Sequence, residues 1–193
     1  MPDPVETTII RGFAGKIPAR GDFVQGGLPR DFTDPWHDWQ SAVIAGSRAL
    51  MDEAWLDAFL EAPVWRFVLP PGLCGMRAAI GLIMPSVDKV GRYFPLTFAA
   101  LSDDGAPDPA AWGGWLDAVE DLGRLALEED APPERLTPPP CPLPAGFTGR
   151  TACDWWTDGG PRVDPTHLSL SSLPDATGFA SMLGYLAPTE SAS

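Results

Sequence analysis

Six charged residues fall in two short glycine-bearing segments: Lys16, Arg20 and Asp22 in the first, Asp88, Lys89 and Arg92 in the second. Arg20-Gly21-Asp22 and Asp88-Lys89-Val90-Gly91-Arg92 each set opposite charges around a glycine, a spacing that suits two kinds of chemistry. One is mutual ion pairing that holds the loops in shape. The other is recognition, because an arginine presented beside glycine backbone can bind an acidic or phosphorylated group without any catalytic partner. Both readings stay open on the residues alone. The adjacent Trp155 and Trp156 add a further element. On a strand they point to opposite faces, so one of the pair is a candidate exposed anchor for a partner.

Catalytic and metal signatures do not assemble. Gly15-Lys16 invites a phosphate-loop reading, but the first glycine of that motif is missing and Ile17 stands where Ser or Thr would hold magnesium. His37 and His167 have no Cys or second His at helical spacing to make a metal pair. The serines after residue 168 sit in no nucleophile elbow, and no Ser, His and Asp set can be read from linear order. Cys74, Cys141 and Cys153 are odd in number and lack ligand-like spacing, which fits reduced thiols in the cytosol better than a disulfide framework. No cofactor is expected.

The elements that must position the charged segments follow from apolar periodicity. Residues 9–13 read as a short strand, followed by a loop bounded by proline and glycine through Gly27. Asp34 offers an N-cap oxygen and Pro35 suits the first helical position, so a helix is expected from there to Met51 on Trp36, Trp39, Val43 and Leu50. Trp55, Phe59 and Leu60 continue burial on a second short helix that Pro63 stops. Residues 64–69, 76–84 and 93–101 then form an antiparallel meander, with residues 85–92 as one of its loops.

Residues 109–127 read as an amphipathic helix with Trp112, Trp115, Leu116, Val119, Leu122 and Leu125 on or near one face. Glu120 and Asp121 are assigned to the opposite, solvated face, where substitution should matter little. A proline-rich connection at residues 131–144 should run extended over the surface. Residues 151–157 and 168–173 supply further strands, and residues 174–186 a closing helix weakened by Gly178 and Gly184. The expected fold is a single α/β domain over residues 1–193, with short flexible ends at about residues 1–8 and 188–193. Its core is a largely antiparallel central sheet of about five strands with helices on its faces, a three-layer sandwich. The loops at residues 12–23 and 85–92 should lie side by side, since each carries charges without local partners and both border that sheet.

Composition narrows the partners. Of the net charge of −13, residues 103–135 carry −8, from ten acids against two arginines. A phosphate backbone would be repelled by that region, so nucleic acid is excluded as the expected partner. The first eight residues carry acids where a signal peptide needs basic residues and an apolar run, and residues 78–84, the longest such run, fall far short of a span. No direct membrane insertion is expected.

Several long segments, in order, carry a family resemblance. Gly12-Phe13-Ala14-Gly15-Lys16-Ile17-Pro18-Ala19-Arg20-Gly21-Asp22-Phe23 comes first, followed by Asp34-Pro35-Trp36 and Ala62-Pro63-Val64-Trp65-Arg66-Phe67. Met84-Pro85-Ser86-Val87-Asp88-Lys89-Val90-Gly91-Arg92-Tyr93-Phe94-Pro95-Leu96-Thr97 and Asp154-Trp155-Trp156-Thr157 complete the set. Together they resemble the TagF family, also called ImpM, of type VI secretion-associated proteins. The resemblance implies a non-enzymatic cytoplasmic regulator that restrains the secretion machine after translation, through contact with a forkhead-associated-domain scaffold protein. Some members are joined to a serine/threonine phosphatase domain; 193 residues leave no room for one, so any phosphatase is expected to be a separate protein. Lys16, Arg20, Asp22, Asp88, Arg92, Trp155 and Trp156 are the partner-binding candidates. The alternatives are a small phosphate-binding or hydrolytic enzyme using Lys16, Arg20 and Arg92, and a structural adaptor of the machine.

Overall fold

Unbroken apolar runs such as Ala-Ala-Ile-Gly-Leu-Ile-Met call for strands buried on both faces, and the computed structural model shows how both are covered. It describes residues 9–141 and 147–186. The expected flexible ends, at about residues 1–8 and 188–193, lie outside the described residues, as do residues 142–146, which include the end of the proline-rich connection.

The strands are β1 (Ile10–Gly15), β2 (Val24–Gly26), β3 (Trp65–Leu69), β4 (Ala78–Met84), β5 (Leu96–Ser102), β6 (Ala106–Pro107), β7 (Phe147–Thr148), β8 (Cys153–Thr157) and β9 (Thr166–Leu170). The helices are α1 (Arg30–Met51), α2 (Trp55–Leu60), α3 (Pro109–Glu128) and α4 (Ala176–Met182). Seven strands form one sheet in the order β2-β1-β5-β4-β3-β8-β9, and every pairing is antiparallel. The expected meander is β3-β4-β5 at its centre. The sheet exceeds the expected five strands or so partly because β2 lies in what reads as loop. It is three residues long and carries no periodic signal, and it is held by pairing Gly15 with Val24 and Phe13 with Gly26.

Alternation along the central strands divides the core in two. Phe67, Leu69, Ala79, Ile83, Ala99 and Leu101 face α1, α2 and α4, while Val68, Ile80, Leu82, Met84, Leu96 and Phe98 face α3. This is the three-layer arrangement. Beneath α1, the buried Trp36 indole donates to the Thr97 hydroxyl at 2.9 Å, so its one polar atom is satisfied inside the core.

Several boundaries differ from the sequence expectation. Helix α1 starts at Arg30, a turn before Pro35, with the N–H groups of Phe32 and Thr33 both donating to the Pro29 carbonyl. Phe32 stacks on Trp36 at 5.5 Å, an i,i+4 aromatic pair that draws this extra turn onto the sheet. Leu50 and Leu60 are exposed, while their neighbours Met51 and Phe59 are buried. Strand β9 begins two residues earlier than expected, and α4 ends at Met182, before Gly184 with φ of 91°. The proline-rich connection is anchored rather than loose: Leu136 is fully buried, Trp115 Nε1 donates to the Pro139 carbonyl and Arg11 Nε to that of Pro138, both at 3.1 Å.

Helix α3 begins as its residues dictate, with Asp108 capping the Ala110 N–H and Pro109 at the first helical position. Its acidic face is only partly solvated. Glu120 is clasped by Arg66 of β3 at 3.0 Å and Arg124 at 2.6 Å, and Arg66 also reaches Asp117 at 2.7 Å. Burial opposes the Arg66 charge, but its bonds to Glu120 and Asp117 outweigh that and push its pKa up. Glu120→Ala should therefore cost about 1–2 kcal/mol, because it removes the more buried of the two carboxylates that hold Arg66 and leaves only the exposed Asp117. Asp121→Ala, at an exposed neighbouring position, should stay within about 0.5 kcal/mol. Urea titration of the two variants checks the ranking.

Candidate functional site

The C-terminal end of β1, the C-terminal end of β4 and the start of β5 lie together at one end of the sheet, through the pairings Gly15 with Leu96 and Met84 with Leu96. The chain leaves β1 at Gly15, whose φ of 147° and approach to the Pro95 carbonyl leave no room for a side chain. A Cβ there would lie 2.3 Å from that oxygen. Between β4 and β5 the chain folds back tightly. Val87 bridges Tyr93, the Phe94 N–H donates to the Ser86 carbonyl, and the Asp88 N–H to that of Arg92. The tip Asp88-Lys89-Val90-Gly91 closes with the Gly91 N–H on the Asp88 carbonyl at 3.0 Å, and Gly91 takes the positive φ of 86° that the turn's exit requires.

The two loops are neighbours, as expected from their charges. The Lys89 N–H donates to the Arg20 carbonyl at 2.9 Å, the Ser86 hydroxyl to the Lys16 carbonyl at 2.6 Å, and Arg92 Nη2 to the Gly21 carbonyl. Asp88 is the hub. Its side chain is wholly buried and accepts from Lys16 Nζ at 3.0 Å, Arg92 Nε at 2.7 Å, and the backbone N–H groups of Val90 and Arg92. Burial works against its charge, but the Arg92 N–H, the Lys16 ammonium, the Arg92 guanidinium and the Val90 N–H together hold its carboxyl well below the usual carboxylate range.

Around this hub the surface is cationic. Arg92 and Arg20 keep 60% and 48% of their side chains exposed, and Lys89 is exposed beside Val90 at the loop tip. Arg20 lies 3.8 Å from Glu134, and with Pro18, Lys89, Asp130 and Pro132 it lines a depression of about 500 Å³. Asp22 is exposed on the same loop and pairs with no described residue. The structure thus gathers Lys16, Arg20, Asp88 and Arg92, with Asp22 close along the chain. Ion pairing within the loops is what the Lys16, Asp88 and Arg92 charges do, and it leaves the outer cations presented on a tied frame.

Trp155 and Trp156 do not belong to this cluster, because β3, β4 and β5 lie between β8 and β1. Trp155 is fully buried, 5.2 Å from Phe67 and 5.6 Å from Trp39, and cannot serve as a surface anchor. Its inward face is covered by α1, which the strand pattern alone does not reveal. Trp156 takes the opposite face, half-buried against the α3 core.

Among the described residues no three His, Cys, Asp or Glu side chains are grouped to hold a metal ion. The three cysteines are free. Burial pushes the Cys74 thiol up to about 12, with the charge of Asp31 adding to it, and Cys141 up to about 11 against the pull of Arg11. Burial raises Cys153 as well, so all three are poor nucleophiles. No helix among the described residues is long and apolar enough to cross a membrane.

Fold and site together define a three-layer α/β protein around an all-antiparallel sheet, with two charged loops tied into one surface at the end of its central strands. The chain belongs to the TagF family: the family description "TagF N-terminal domain, Type VI secretion system-associated" matches residues 12–138. No curated protein matches the chain. Among solved structures, it is similar to the crystal structure of PA0076 from Pseudomonas aeruginosa PAO1, with 35% identity and a TM-score of 0.77. That similarity covers 90% of this chain and 93% of the other. The match from residue 12 spans both loops, so the candidate site lies inside the segment that defines the family.

Proposed function

We propose that this protein is a non-enzymatic, post-translational negative regulator of the type VI secretion system. It acts in the cytoplasm by contact with the system's forkhead-associated-domain scaffold protein. The observation that carries the reading is membership of a family associated with that system. The tied loops support the contact mechanism, since a frame already ordered by Asp88 presents Arg20, Lys89 and Arg92 with little conformational entropy left to lose on binding.

Deleting the protein should raise type VI secretion several-fold and overproducing it should lower secretion, with the amounts of the machine's components unchanged. An affinity pull-down from the native cell should recover the scaffold protein. The combined Arg20→Ala and Arg92→Ala chain should recover less of it while remaining folded. If deletion abolished secretion, the protein would be an adaptor of the machine and not its repressor.

A further inference from the structure

On the side of Asp88 facing α1, Lys16 and Arg92 look into a depression of about 550 Å³ that Ser41 and Arg48 of α1 complete, with Tyr93 and Phe94 beside them. Its charge is anomalous for a chain of net −13, because no acidic residue lines it. Lys16 and Arg92 share the single charge of Asp88, on the same oxygen at 3.0 and 2.7 Å, and Arg48 pairs with no carboxylate among the described residues. The Arg48 guanidinium rests instead over the Trp55 ring, 4.1 Å from its centre, which braces it without neutralising it. Three cations against one carboxylate leave a local charge of about +2.

The donors are also unspent. Lys16 uses one of its three N–H groups on Asp88, and Arg92 Nη1 has no partner among the described residues. The Ser41 and Tyr93 hydroxyls are equally unpartnered among them. A depression lined by three cationic side chains and two hydroxyls, with no carboxylate on its wall, suits a compact dianion better than carboxylates spread along a segment. Ile44, Ala45 and Phe94 give the same depression an apolar part, which suits residues flanking that dianion on a protein chain.

The geometry points to a docking site for a phosphorylated side chain of a partner protein, held by Lys16, Arg48 and Arg92 with the Ser41 and Tyr93 hydroxyls. This deepens the contact reading above by naming the chemistry of the bound segment. The test is calorimetric titration of the full chain with three synthetic peptides. They carry phosphothreonine, threonine or glutamate at one central position, with identical uncharged flanks.

The phosphothreonine peptide should bind, the threonine peptide should not, and the glutamate peptide should bind at least tenfold more weakly. Arg48→Ala should weaken phosphopeptide binding tenfold or more, and Ser41→Ala by a smaller factor. Arg30→Ala, exposed on the first turn of α1 and outside the depression, should leave binding unchanged. If Arg48→Ala failed to fold, the Ser41→Ala comparison and amide resonance shifts at residues 41, 91 and 93 of the native chain would stand in its place. A phosphopeptide that does not bind, or that binds the Arg48→Ala and Ser41→Ala chains as tightly as the native chain, overturns the site. Equal affinity for the glutamate peptide, or for inorganic phosphate, overturns it too. Failure of the site with scaffold capture intact would leave the contact reading standing; phosphopeptide binding without scaffold capture would do the reverse.

Discussion

Trp155→Ala is expected to destabilise the protein by about 3–5 kcal/mol, the cost of removing a large aromatic from a packed interior. At this chain length that lowers the melting temperature by about 10 °C. The size of the effect follows from position. Trp155 is fully buried on β8, stacked parallel to Trp36 at 6.2 Å and in contact with Trp39 and Phe67, so its loss opens a cavity between α1 and the sheet. Trp156→Ala, on the half-buried opposite face, should cost about 1–2 kcal/mol. Urea and thermal unfolding of the two single variants measure the difference. A larger loss at Trp156 would mean that β8 is turned the other way.

The second large effect is expected at Asp88. Asp88→Asn keeps the shape but removes the charge that Lys16 and Arg92 share, so both loops should loosen and cleavage at Lys89 or Arg92 by trypsin should accelerate. The pH dependence gives a check that a generic defect would not pass. The native carboxyl has a folded pKa below the unfolded value of about 3.9, so its contribution is fully present above that value and is lost as pH falls through the folded pKa. The stability gap between native and variant chains should be widest near neutral pH, shrink below about pH 4 and close in stronger acid. Chemical denaturation across that range measures it. A gap that stayed constant with pH would remove Asp88 as the ionic hub.

The adjacency of the two loops was legible because both carry charges and both border the same sheet. Asp88 finds Arg92 four residues on, and the structure adds Lys16 at a separation of 72 residues. What was not legible is the contribution of α1. Arg48 and Ser41 carry no signal of their own, since a lone arginine or serine on a helix reads as solvated face. Glu120 was misplaced for the same reason: helical periodicity gives the direction of a side chain but not the length of the arginine that reaches it from β3.

Local patterns determined the kinds of elements: apolar runs made β3, β4 and β5 strands, the Asp108-Pro109 pair opened α3, and Asp88 with Gly91 closed a turn. These depend on interactions within a few residues, which a linear chain displays. Tertiary structure decided the rest. It buried Trp155 under α1 and brought Arg48 to the loop that carries Arg92. Each of these depends on which face another element covers. That is settled by packing between residues far apart in the chain, where the gain lies in shared burial and in charges that only meet once the layers close.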